Sequence, residues 1–469
     1  MKNKTASFRI LLIAAMLLSA FNLIQTHASA DVLASTSIPS QTLTLEPGDF
    51  YFSENGNQVF LFSRNVAGYK QSHYSIFLDW ARSGGSSFMR IQLDGWGMGY
   101  TSTGAVDETW AAAWKWVFDK AKEDGIYILP VFSGWFDWNA GSGYSTWTRN
   151  PLNQVNGGPV KSPAELFNKG SATQTMWLKW MQDLVVRWRG YDNILGWEIF
   201  SEVNLATGAS ESSGIDFVNA AAALIRAADP NRPITASIAD TGTWSNFYRK
   251  ADIDFCNIHP YPPSAKLDRT IVEEVRNCLE KYKKPVLIGE SGLNAESPDR
   301  YPQNAQTGIR HAIWAAIVSG AMNGRALYWE DSFGLFFPSK GIPWMQEFLT
   351  SELPASEFVK GVDFTGYKPL KTNASKGIWG AAVGSERSIL GWYRDAGCEP
   401  PQFTMKAVIS GQSVKITVPG NAADWQVDFY SPVDGVTLLG SAMVVRTGKT
   451  ILVPVPEFHD DIAFKAIAR

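Results

Sequence analysis

The sequence predicts an α/β fold, a (β/α)8 TIM barrel, followed by a small all-β sandwich domain. Three observations lead there. From about residue 57 to 335, short β-rich runs alternate with amphipathic helical stretches. Such alternation implies a parallel sheet, because a right-handed crossover between parallel strands needs a helix's length of chain, and eight units imply closure. The polar and aromatic residues that could do chemistry gather where these strand runs end, as they do around the mouth of a barrel. Beyond residue 376 the pattern becomes strand-length alternating runs separated by turn residues, which argues for an antiparallel sandwich.

Residues 1–30 stand apart. Lys2, Lys4 and Arg9 precede the apolar run ILLIAAMLLSA, and Ala28-Ser29-Ala30 supplies small residues for a leader-peptidase cut. The run is shorter than the roughly 20 residues that a membrane span needs. A removed secretory leader, a secreted extracellular product and no membrane association after removal are the expectations. Residues 31–48 then form an N-terminal extension and 49–362 the barrel.

Within the barrel the strand runs are VFLFSRN (59–65), SFMRIQLD (87–94), IYILPVF (126–132), ILGWEIFSE (194–202), PITASIA (233–239), DFCNIHPY (254–261), PVLIGES (285–291) and RALYWED (325–331). Helical stretches with apolar residues three and four apart fall at 72–82, 107–124, 172–189, 214–229, 270–282 and 306–320, with a short turn near 244–250. A closing helix is expected after residue 335. Residues 363–376 read as a polar linker and 377–469 as the sandwich, whose role is to brace the barrel or, through Trp392 or Trp425, to bind sugar.

Composition narrows the function. Lys and Arg number 42 against 45 Asp and Glu, so no basic surface favours nucleic acid. Three scattered cysteines form neither a disulfide framework nor a zinc spacing, and five histidines leave little for a metal centre. No metal and no cofactor are expected; the oligomeric state stays open. The 19 tryptophans are the outlier. A broad apolar ring with a polar edge suits stacking on sugars, although about half should serve the core. Trp135, with Trp96 and Trp138, sits on loops after the second and third strands, where a sugar platform fits.

Two glutamates in GWEIFSEVNL need explaining, since a buried carboxylate costs free energy unless it is paired or used. Alternation places Glu198, Phe200 and Glu202 on one face and Trp197, Ile199 and Ser201 on the other. Glu198 lies deeper and should pair with Arg90; Glu202 should open to the cleft. Glu290 in KKPVLIGESG repeats the placement at the end of the seventh strand, 88 residues later. The two carboxylates would face each other across the mouth.

Residues 49–345 resemble the clan A retaining glycoside hydrolases, and among them family 5, the cellulase and mannanase group. NGNQVFLFSRNVAG is similar to the family's opening hairpin and Arg90 to its second-strand arginine. GWEIFSEVN resembles its Trp-Glu-Leu-x-Asn-Glu signature, and His259-Pro260-Tyr261 its sixth-strand His-x-Tyr. The resemblance implies a double displacement on a β-linked glycan, with Glu290 as nucleophile and Glu202 as acid/base. It also implies substrate contacts from Arg90, Ser201, His259, Tyr261 and Trp329. The sequence departs from the pattern at Ser201, where the family has Asn, and in LPVFSGW, which lacks the third-strand histidine. A non-catalytic carbohydrate-binding barrel and a transglycosidase are the alternative readings, and the sugar and the mode of attack are open.

Overall fold

The computed structural model describes residues 43–141, 143–334, 348–406 and 408–469. The expected leader and most of the extension after it lie outside these residues. Eight parallel strands form the barrel: β3 (Leu61–Val66), β4 (Phe88–Gln92), β5 (Tyr127–Val131), β6 (Trp197–Glu198), β7 (Ile234–Thr235), β8 (Cys256–Ile258), β9 (Val286–Ile288) and β10 (Asn323–Arg325), preceded by a hairpin of β1 (Phe52–Glu54) and β2 (Asn57–Val59). β10 pairs with β3, and the sheet continues in order to β7. Parallel bridges Ser237–Asn257 and Ser291–Leu327 join the β8–β9 pair into the ring.

Side chains at the first positions of the strands fill the bottom of this ring. Leu61, Phe88, Tyr127, Leu129, Phe255, Leu287 and Met322 form one cluster with Phe52 of the hairpin and Leu43. The hairpin therefore stoppers the N-terminal end, and polar residues further along the same strands are left to line the other end.

The outer helices are α1 (Gln71–Gly84), α2 (Glu108–Glu123), α3 (Ala172–Trp188), α4 (Glu211–Ala228), α5 (Phe247–Lys250), α6 (Leu267–Tyr282) and α7 (Ala305–Ser319). Their starts follow local chemistry: the Asp107 carboxylate accepts from the Thr109 and Trp110 amides, and Ser171 caps α3. Trp110, Trp114, Trp177, Trp180 and Trp188 are buried between α2, α3 and the sheet. Trp96 stacks on Trp114 with ring centroids 4.1 Å apart. Each buried ring removes a large apolar area from water, so those five tryptophans belong to the core, while Trp96 is only partly buried.

The eighth strand is displaced from its expected place. It covers Asn323–Arg325, not 325–331, because Arg325 and Ala326 take positive φ values of 71° and 61° and turn the chain. Tyr328–Phe333 then coils into α8, held by Asp331, whose carboxylate accepts from the Arg325 side chain at 2.7 Å and from the Asn65 amide at 3.1 Å. The stretch expected to close the barrel is partly outside the described residues; its described end leads into α9 (Leu353–Val359).

Residues 363–376 are folded rather than a solvated linker. Phe364 and Tyr367 are buried in the barrel cluster, and Lys368–Pro369 and Thr372–Ala374 are strands β11 and β12. The remaining strands are β13 (Ile378–Gly384), β14 (Ser388–Asp395), β15 (Gln412–Thr417), β16 (Asp424–Tyr430), β17 (Leu438–Val445), β18 (Thr450–Val455) and β19 (Asp461–Ala468). They make two antiparallel sheets, ordered β11-β13-β14-β19-β16-β17 and β12-β15-β18, around a shared apolar core. Trp392 and Trp425 are both buried, Trp392 donating to Asp461 and facing His311 of α7 across 5.6 Å. Neither presents a ring for sugar; Trp392 is part of the brace.

One buried charge network closes the barrel seam. Arg64 on β3 meets Glu352 at 2.6 Å, Arg325 on β10 meets both Glu352 and Asp331, and Ser86 donates to Glu352 at 2.5 Å. Gly84 is needed beside it, since a Cβ there would fall 2.4 Å from Glu352 Oε1. Removing one partner of a buried pair leaves an uncompensated charge. Glu352→Ala is expected to lower the unfolding free energy by about 3–5 kcal/mol in a guanidinium titration; a loss under about 1 kcal/mol would mark the network as dispensable.

Candidate active site

The mouth of the barrel is organised from β4 outward. Arg90 and Gln92 lie on the inward face of β4, two residues apart, above Phe88 in the basal plug. The Arg90 guanidinium is fully buried, and each of its five N–H groups has an acceptor. Nε and Nη2 donate to the two oxygens of Glu198, each at 2.7 Å, and Nη2 also donates to Ser201 Oγ at 2.9 Å. Nη1 donates to Asn65 Oδ1 at 2.9 Å and to Glu290 Oε1 at 2.8 Å. The expected Glu198–Arg90 pair is thus present in bidentate form, and it sets the guanidinium so that one edge is left for Glu290.

Glu290 follows β9 and is almost buried. Its second oxygen accepts from the Tyr261 hydroxyl at 3.0 Å. Burial pushes its carboxyl up, but the charges of His259 and Arg90 and the hydrogen bonds from Tyr261 and Arg90 outweigh that and hold it below the usual carboxylate range. Tyr261 moves the other way, its hydroxyl raised by burial and by the Glu290 charge.

Glu202 departs from the alternation expected of it. Strand geometry ends at Glu198; Phe200 turns outward to pack on Phe167, Trp177 and Phe217, and Ser201 turns inward to Arg90. Glu202 itself takes a left-handed conformation, φ 57° and ψ 51°. That conformation is sparsely populated for a residue with a Cβ and is commonest where function over-determines the backbone. Ser237 locks it, accepting from the Glu202 amide at 3.0 Å while donating to Glu198 at 3.2 Å. The carboxylate meets His259 Nδ1 at 2.8 Å.

Glu202, His259 and Glu290 each offer one atom within 4.8 Å of the others. The two carboxyl groups therefore flank one small space. A metal could find three ligands there; each Glu290 oxygen accepts one bond, from Arg90 and from Tyr261, an arrangement suited to a carboxylate that is kept ionised by hydrogen bonds. His259 Nε2 is buried without a hydrogen-bond partner.

Of the remaining expected residues, Trp329 is on α8 rather than on a strand, half-buried, with its indole N–H 3.3 Å from the Asn294 carbonyl. Trp135 begins a short 3-10 helix, Trp135–Trp138, its amide donating to the Ser201 carbonyl at 3.1 Å. Trp138 is buried and is core. Asn65, Ser237 and Tyr328 were not anticipated. Gln92 Nε2 comes within 3.5 Å of Glu290 Oε1, and the Tyr328 hydroxyl feels the charges of Glu290 and Glu202. Gln92 was in reach of sequence reasoning, since it shares the β4 face of Arg90.

A model of the cellulase family, glycosyl hydrolase family 5, matches residues 52–320. In sequence the chain is 21% identical over 276 residues to the Arabidopsis thaliana protein named "Putative mannan endo-1,4-beta-mannosidase 4", over 49% of this chain and 66% of that one. The chain thus spans just under two thirds of that relative's length. Among solved structures, one described as a glycoside hydrolase superposes with TM-score 0.58 at 12% identity, over 91% of this chain and 97% of the other. The endo-beta-1,4-mannanase of Thermotoga petrophila gives TM-score 0.51 at 14% identity, over 87% and 98%. At such identities these two likenesses bear on the fold, and they extend it through the sandwich.

The depressed Glu290 carboxyl has a consequence for stability. A group whose folded pKa is lowered adds stability that is fully present above its unfolded value, about 4.3, and is lost as pH falls through its folded value. The stability of the parent relative to Glu290→Gln is therefore expected to be greater at pH 6 than at pH 3 in urea titrations. A difference that does not change with pH would contradict the depressed carboxyl.

Proposed function

The chain belongs to glycosyl hydrolase family 5, and on that premise we propose that it hydrolyses β-linked glycans with retention of configuration at the anomeric carbon. The observation that carries this reading is the pair of carboxyl groups, Glu202 and Glu290, with oxygens within 4.8 Å of each other. Retaining glycosidases hold their carboxyls about 5–5.5 Å apart, whereas inverting ones leave room for a water between them.

In the proposed reaction the ionised Glu290 attacks C1 of the sugar while Glu202 passes its proton to the departing glycosidic oxygen. Arg90 and Tyr261 hold Glu290 in place without consuming all its lone pairs. The resulting glycosyl ester removes the Glu290 charge. Glu202, now a carboxylate, takes a proton from water as the water's oxygen attacks C1, and the ester bond to Glu290 breaks. His259 positions Glu202 through Nδ1. Ser201 accepts from Arg90, which leaves its hydroxyl proton to donate. Trp329 and Trp135 supply apolar ring surface beside the cleft.

For the substrate class, β-1,4-linked mannan is favoured by the name of the Arabidopsis relative. Export to the extracellular medium is part of the same reading, supported by the charged and apolar pattern of residues 1–30. A purely carbohydrate-binding barrel is less well supported, because binding alone gains nothing from two converging carboxyls that repel each other.

Glu202→Ala is expected to reduce turnover of mannan by at least about 10²–10⁴-fold, and Glu290→Ala by more, with the folded state of both intact by circular dichroism. Added azide should restore rate in both and give glycosyl azides of opposite anomeric configuration. Undiminished hydrolysis by either variant would remove the assignment. A screen of mannan, glucan and galactan with product sizing tests the substrate.

A further inference from the structure

The outer edges of the two sandwich sheets are not treated alike by the sequence. An edge strand presents unpaired N–H and C=O groups, which natural chains blunt with short strands, proline or charge. β11 is only Lys368 and Pro369, and β12 is three residues long. β18 carries an exposed Pro454. β17, the last strand of the six-stranded sheet, has none of these devices. It is eight residues long, reads LLGSAMVV without charge or proline, and among the described residues pairs with β16 alone. β18 follows it through a turn bridged at Thr447–Thr450 but joins the other sheet, against β15.

The solvent face of β17 is apolar. Val444 lies opposite Trp425 and belongs to the sandwich core, so Met443 and Val445 point outward, 58% and 67% exposed. Leu438 is exposed beyond the bulge opposite Phe429–Tyr430. Ile467 of β19 extends the strip, in register with Met443 through Gln426 between them.

Charge sits only at the two ends of the strand. Asp434 lies in the turn that enters β17, its carboxylate accepting from the Val436 and Thr437 amides. Arg446 and Lys449 lie in the turn that leaves it. Laid antiparallel on a second β17, the acidic end of each strand meets the basic end of the other, and no like charges are opposed in between. A parallel arrangement would oppose acid to acid. Pairing centred on Ala442 sets Met443 opposite Ser441 of the second copy and Val444 opposite its Gly440, so small residues receive larger ones. A two-fold axis makes each of these contacts twice.

We propose that two copies of this chain associate through β17, paired antiparallel across a two-fold axis at Ala442, so that the two six-stranded sheets become one continuous sheet and Met443 and Val445 of both copies form a shared apolar strip.

Sedimentation velocity of the full chain over about 1 μM to 1 mM, with hydrogen exchange of the peptide spanning residues 438–445 read at the same concentrations, tests it. A dimer is expected, with the β17 amides slowing as it forms. Met443→Lys, whose side chain faces water in the single chain, is expected to raise the dimer dissociation constant at least about tenfold, since symmetry brings two lysines into one apolar strip. Lys449→Glu, which keeps the strand intact, is expected to raise it about threefold at low salt. Val155→Lys, exposed on the barrel, is expected to leave it within about twofold. A single chain mass at every concentration would overturn the pairing. So would a dimer that forms with β17 exchange unchanged, or one that neither Met443→Lys nor Lys449→Glu weakens. Amides of β17 already slow in the monomer would overturn it as well, by showing that another segment of the chain covers the edge.

Discussion

The bond set of Arg90 is the constraint from which the mouth of the barrel follows. Its five N–H donors reach four side chains on β3, on β6 and the segment after it, and after β9. A guanidinium cannot lose its proton inside a protein, so a buried one demands anionic partners with matched geometry. Glu198 satisfies that demand on one edge with a bidentate contact. The other edge then faces Glu290 with a single charge-assisted bond, which fixes the carboxylate while leaving lone pairs for chemistry. The deep Glu198 is thus the reason that Glu290 can be placed.

The backbone serves the same end. The basal plug fills the lower barrel with apolar side chains and leaves inward positions higher on the strands to polar groups. At the end of β6 the chain abandons strand geometry, so that Phe200 packs outward, Ser201 joins the Arg90 network and Glu202 stands in a left-handed conformation under the hold of Ser237. The cost of that conformation, roughly 1 kcal/mol or more, is offset by the hydrogen bonds that fix it. It brings Glu202 to His259 and within reach of Glu290.

Much of this was legible in the sequence. Short β-rich runs identify seven of the eight strands and period-3.6 patterns the main helices, because burial on both faces of a parallel strand and on one face of a helix selects those residues directly. That Glu198 needs a basic partner such as Arg90 was legible from burial cost, and Glu202 and Glu290 from their place at strand ends. What escaped depended on long-range contacts or on local backbone torsion. RALYWED has strand-like residues, yet Arg325 and Ala326 turn left-handed and Asp331 draws the following residues into a helix. The polar look of DFTGYKPLKTNASK hid Phe364 and Tyr367, whose burial needs partners far away in the chain. Trp392 and Trp425 could not be told from surface platforms without knowing which face of each strand meets its neighbour.

The central claim is that Glu290, braced by Arg90 and Tyr261, forms a covalent bond to the sugar. The most direct measurement is mass spectrometry of peptides after incubation with a 2-deoxy-2-fluoro β-mannoside bearing a dinitrophenyl leaving group, which slows release of any glycosyl ester. The account predicts one added fluorosugar, on the peptide containing Glu290 and on that side chain, with release when an acceptor sugar is supplied. A stable label on Glu202 or on another residue, with Glu290 unmodified, would contradict it.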